Sequence, residues 1–86
     1  LDLRFNSYWD LIPDELAKEV LDSGHYPGHA GEFETSFALH ALPDNVRWDH
    51  AEASDPNAAR ATAEKGRALA NAAIEGTASL LRDMLK

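Results

Sequence analysis

The chain contains no cysteine. That excludes disulfides and thiolate-bound metal, leaves the redox compartment unreadable, and makes the cytoplasm the default location. Long apolar runs are missing too: none approaches the roughly 18 residues that a membrane span requires. The opening Leu1-Asp2-Leu3-Arg4 has neither the basic start nor the apolar core of a signal peptide. Basic residues are scarce, eight against fifteen acidic ones for a net charge of −7. Nonspecific nucleic-acid binding needs a basic stripe and is disfavoured. There is no nucleophile elbow, phosphate-binding loop or zinc-finger spacing, and no internal repeat. The first residue is not Met, and an apparent strand begins at once. The expectation is a single segment, residues 1–86, cut from or processed out of something longer.

What is present reads as mixed secondary structure. Leu1, Leu3 and Phe5 alternate with Asp2, Arg4 and Asn6, the period-two pattern of a half-buried strand that could continue through Tyr8 and Trp9. Pro13 followed by Asp14 and Glu15 marks a helix start. Leu16, Val20 and Leu21 give that helix an apolar face, and Gly24 suits a left-handed stop. His25-Tyr26-Pro27-Gly28 is a loop. A second helix is expected from Glu32 to about Leu42, ending before Pro43, with Phe33, Phe37 and Ala41 on one side.

Asp44 to Asp55 is a polar connector in which Val46 and Trp48 alternate as a short edge strand. Asp55-Pro56 opens a turn into a long Ala-rich helix, Ala58 to Leu85, irregular before Thr62. Leu69, Ala73, Thr77, Leu80 and Met84 share a face of it. Gly66 and Gly76 each cost about 1 kcal/mol relative to Ala inside a helix and fit best where another backbone packs closely. One helix-sized apolar face lacks an evident partner, so the core is expected to be completed by another polypeptide segment.

The polar residues with chemical potential gather at Gly28-His29-Ala30-Gly31-Glu32-Phe33-Glu34-Thr35-Ser36. His29 lies just ahead of a helix N-terminus, where free N–H groups favour negative charge, and Glu34 is fixed on the first turn. Such a pair could act as general acid and base or face a metal. Gly28 and Gly31 would let backbone approach a ligand closely. The plainer alternative makes Gly31 an N-cap, Glu34 a first-turn stabiliser and His29 a surface residue. His40 on the helix and His50 beside Asp49 and Glu52 read more simply as surface or core-edge histidines.

His29-Ala30-Gly31-Glu32-Phe33-Glu34-Thr35-Ser36 resembles the His-Ala-Gly-x-x-Glu-Thr-Ser motif of the creatininase (creatinine amidohydrolase) family. Asp55-Pro56, followed by Ala61-Thr62-Ala63-Glu64-Lys65-Gly66 and a long helix, is also similar to that family. The resemblance covers essentially the whole chain but only the C-terminal third of a typical member. It implies a three-layer α/β/α fold, of which one or two strands and three helices lie in this chain. It further implies hexameric or larger assembly and two divalent ions such as zinc, manganese or iron. The implied activity is hydrolysis of a carbon–nitrogen bond in a linear or cyclic amide by a metal-activated water.

By that resemblance His29 is the catalytic histidine. Glu34 stands beside the metals, as a ligand or as a group holding water, and Tyr26 and Gly28 line the substrate pocket. The family's Glu-x-His element, its downstream Asp and its Asn-Gly-His segment are missing. The remaining ligands are therefore expected on a second polypeptide. In creatinine-specific members a tryptophan precedes the motif histidine; His25 and Tyr26 stand near that place, which argues for a different amide. The competing expectation is a non-catalytic interaction or regulatory subunit that keeps the tail of the fold.

Overall fold

The structure, a computed structural model, describes residues 1–24 and 31–86, and of residues 52–54 the backbone alone. Within them the regular elements are helical: α1 (Asp14–Val20), α2 (Glu32–Ala41), α3 (Trp48–Ser54) and α4 (Ala63–Met84), with 3-10 turns at Tyr8–Leu11, Pro43–Asn45 and Pro56–Arg60. No strand occurs among the described residues, which corrects the α/β expectation to a small all-helical chain.

Both expected strands fail for a physical reason. Alternation describes one face of a sheet, but a strand also needs a neighbour for its N–H and C=O groups. Residues 1–6 find none, and Leu1, Leu3 and Phe5 stand exposed. Ser7 and Asp10 then offer a helical start: the Ser7 N–H donates to Asp10 Oδ2 at 3.3 Å, and the Asp10 N–H to the Ser7 carbonyl at 3.0 Å. Tyr8 and Trp9 therefore sit in a turn. Val46 and Trp48 are likewise parted by helical structure, because Trp48 opens α3 with Asp49 in its first turn.

The helices themselves follow local chemistry. Pro13 caps α1, whose first turn carries Asp14 and Glu15. Gly24 takes the expected left-handed φ of +69°, but it does not stop α1, which ends at Val20 with Leu21 as an extended cap. Thr62 starts α4 by accepting the Lys65 N–H at 3.1 Å. Ahead of it the Pro56–Arg60 turn is the expected irregular stretch, capped by Asp55 Oδ1, which accepts the Asn57 N–H at 2.9 Å.

The core gathers Ile12, Ala17, Leu21, Phe33, Leu69 and Ala73, with Trp9, Leu16, Val20 and Phe37 packed around it. Tyr8 stacks near Phe33, with ring centroids 6.1 Å apart, and leans on Phe37 at 5.1 Å. α4 crosses two neighbours at its glycines. A Cβ on Gly66 would strike the Ser36 carbonyl of α2, and one on Gly76 would strike the Leu11 carbonyl. These are the close backbone approaches that account for glycine inside a long helix. No helix among the described residues is long and apolar enough to cross a membrane.

Candidate functional site

The start of α2 is where the chain's polar interior lies. Gly31 is the N-cap, and its N–H donates to Glu34 Oε1 at 3.1 Å, closing the first turn. Glu34 is half-buried. A Cβ added at Gly31 would lie 3.0 Å from Asp55 Oδ2 and 3.7 Å from Glu34 Oε1, so two carboxylates from distant segments flank one glycine. The Glu34 charge also reaches Tyr8: burial, and then that charge, hold the phenol above its ordinary pKa.

In the same first turn, Glu32 is wholly enclosed, its side chain 0% exposed. Its Oε2 accepts the Asp22 N–H at 2.9 Å and Lys65 Nζ at 2.7 Å, and its Oε1 accepts the Ser23 N–H at 2.8 Å. Burial pushes this carboxyl up, but hydrogen bonds from Lys65 and from the Ser23 and Asp22 N–H groups outweigh it and hold it at about 2. Lys65 donates further to Asp22 Oδ2 at 3.1 Å and to the Arg60 carbonyl at 2.6 Å. Burial alone would lower its pKa; the bonds to Glu32 and Asp22 raise it above the ordinary value. Ser36, fully buried, accepts the Thr62 N–H on its Oγ at 3.2 Å.

These contacts follow one pattern. Along α2, Gly31 meets Asp55, Glu32 meets Lys65, and Ser36 meets both Thr62 and Gly66. Residues 31–36 and 55–66 thus lie side by side.

Of the expected site residues, Glu34 is at this seam, whereas His29, Tyr26 and Gly28 lie outside the described residues, as does His25. His40 is exposed near the end of α2. His50 is exposed on α3, 3.5 Å from Asp49 Oδ2. Glu32, Asp55 and Tyr8 were not singled out as site residues by the sequence reading. In the sequence Glu32 marks only the start of a helix, and Tyr8 only the continuation of an alternating stretch. The usable signal was the tail motif itself, whose Asp55 and Lys65 are the partners found here. No family model, curated protein or solved structure matches this chain.

Among the described residues, no group of three or more His, Asp or Glu side chains is placed to hold a metal ion. Glu34 and Asp55 offer oxygen donors suited to a divalent cation, but two carboxylates fall short of a full donor set. Elsewhere an open apolar groove of about 590 Å³ runs along α4, bordered by Tyr8, Phe37, Ala73, Ile74 and Leu81.

Proposed function

We propose that this chain is part of a creatininase-like, metal-dependent amidohydrolase of the cytoplasm, acting on an amide other than creatinine. The observation that carries the reading is the seam. The described part of the first motif stretch, residues 31–36, packs against the second through Gly31–Asp55, Glu32–Lys65 and Ser36–Thr62.

In this reading Glu32 and Lys65 hold the start of α2 rigid and take no part in the reaction. Glu34, anchored by the Gly31 N–H, holds a water against the substrate carbonyl. As the water oxygen bonds to the carbonyl carbon, His29 takes the proton that the water gives up and delivers it to the departing nitrogen as the carbon–nitrogen bond breaks. The described residues do not make a donor set for the implied pair of divalent ions. The missing ligands belong to a second polypeptide, which also closes the site around the substrate. When bound, such ions polarise the carbonyl and acidify water.

The test is purification of the chain from its native source with whatever accompanies it, followed by metal analysis and ammonia- or amine-release assays on a panel of amides. A larger companion chain, bound divalent metal and hydrolysis are expected. His29→Asn and Glu34→Gln should abolish turnover, with assembly and, for His29→Asn, metal content unchanged. A solitary chain without metal overturns the proposal. Unchanged turnover in His29→Asn overturns catalysis by this chain and leaves the interaction or regulatory role.

A further inference from the structure

The long helix α4 carries two apolar faces, and the core uses only one. Leu69, Ala73 and Gly76 point inward, with Leu69 and Ala73 buried and Gly76 against Leu11. On the other side Ile74, Leu81 and Leu85 remain 63%, 54% and 86% exposed. With Arg67, Asn71 and Ala78 they form the series 67, 71, 74, 78, 81, 85, alternating steps of four and three. Its apolar members Ile74, Ala78, Leu81 and Leu85 have the four-three-four spacing of a coiled-coil seam, in which such residues face a partner helix.

Charge on this helix suits a copy of itself. Within Ala63–Met84 the acidic Glu64, Glu75 and Asp83 are balanced by the basic Lys65, Arg67 and Arg82. The excess negative charge of the chain therefore lies off α4, and two copies meeting here do not bring like charge together. Glu75 and Arg82 flank the seam on one edge, and neither forms an ion pair within the described residues. When two such helices run antiparallel with Ile74 opposite Leu85 and Ala78 opposite Leu81, Glu75 of each copy falls beside Arg82 of the other. A parallel arrangement would instead set Glu75 and Arg82 against Ala70, Thr77 and Met84, which carry no charge.

We propose that the outer face of α4 is a self-association surface, pairing antiparallel with the same face of a second copy through Ile74, Ala78, Leu81 and Leu85. The pairing is two-fold symmetric, so each contact occurs twice. It runs about 16 Å along the helix, at roughly 1.5 Å per residue. It is independent of the hydrolase reading, since it uses no residue of the seam at α2.

Sedimentation velocity on the full chain, across a concentration series, reads the assembly. A reversible dimer is expected, and Ile74→Glu with Leu81→Glu should render it monomeric with helical circular dichroism unchanged, because both side chains are exposed. Glu75→Arg or Arg82→Glu alone should weaken the dimer several-fold, and the two together should restore it, which no unspecific apolar association would do.

The lack of native cysteine allows a second reading. With an added oxidant, Ala78→Cys should cross-link to its twin near the two-fold axis. Asn71→Cys should not, because antiparallel pairing places the two copies about 25 Å apart along the axis. A chain that stays monomeric at every concentration, a double charge reversal that fails to restore association, or efficient cross-linking through Asn71→Cys overturns the proposal. The first outcome would leave this face to a different polypeptide.

Discussion

Replacing Glu32 by Gln tests the buried seam most directly. The carboxylate accepts two backbone N–H groups and an ammonium while fully enclosed. Gln has one carbonyl oxygen in place of two carboxylate oxygens, so its NH₂ must face either an N–H or the Lys65 ammonium, donor against donor. Two routes give the cost. The carboxyl sits at about 2 against an ordinary 4.5; that gap of about 2.5 pH units is worth roughly 3–4 kcal/mol at about 1.4 kcal/mol per unit. Removing one partner of a buried pair typically costs about 3–5 kcal/mol, and the Asp22 and Arg60 contacts left to Lys65 argue for the lower end.

For a chain of this size, a loss of about 3 kcal/mol lowers the melting temperature by roughly 12–24 °C. The pH dependence has a definite sign. The folded carboxyl is more acidic than the unfolded one, so its stabilisation is present above the unfolded value of about 4.5 and is lost as pH falls towards 2. Urea unfolding followed by circular dichroism between pH 7 and pH 2 should show wild type and Glu32→Gln far apart at neutral pH and converging at the acid end. A cost below about 1 kcal/mol at pH 7, or a gap that stays constant with pH, would refute the reasoning.

The remaining predictions concern packing and capping. Gly66→Ala should destabilise the chain despite the helix preference of Ala, worth about 1 kcal/mol, because the new methyl meets the Ser36 carbonyl, which cannot rotate away; a stabilised variant in thermal melts would contradict the close approach. Leu69→Ala, at a fully buried position, should cost about 2–5 kcal/mol in urea unfolding. Thr62→Ala should cost about 1 kcal/mol by removing the α4 cap, with Thr62→Ser recovering most of it; equal losses in both variants would count against capping.

How much of this was legible in the sequence depends on the range of the interaction involved. Local chemistry reads well. Gly31 caps α2, Gly24 turns left-handed, the Pro56–Arg60 turn precedes Thr62, and Gly66 and Gly76 lie against backbone. Strands do not read in the same way, since the alternation of Leu1, Leu3 and Phe5 reports a face and says nothing of a neighbour to pair with. Glu32 was passed over because its partners Asp22, Ser23 and Lys65 are scattered, Lys65 lying 33 residues away. A contact of that range leaves no period in the sequence. At the candidate site, motif position singles out Glu34, while Asp55 becomes visible only once α2 and the Pro56–Arg60 turn are seen in contact through Gly31.

The Arg4 guanidinium reaches Asp83 at 2.9 Å, tying together residues 79 positions apart. Residue 4 and the last turn of α4 are therefore neighbours in space, and a brief glycine–serine tether could join them. The polypeptide could then be opened instead at the exposed Asp44–Asn45 bond, leaving α2 and α4 each intact. Such a permuted chain would keep the Glu32–Lys65 lock while moving both free ends beside α3, a convenient place to attach a dye or an affinity handle.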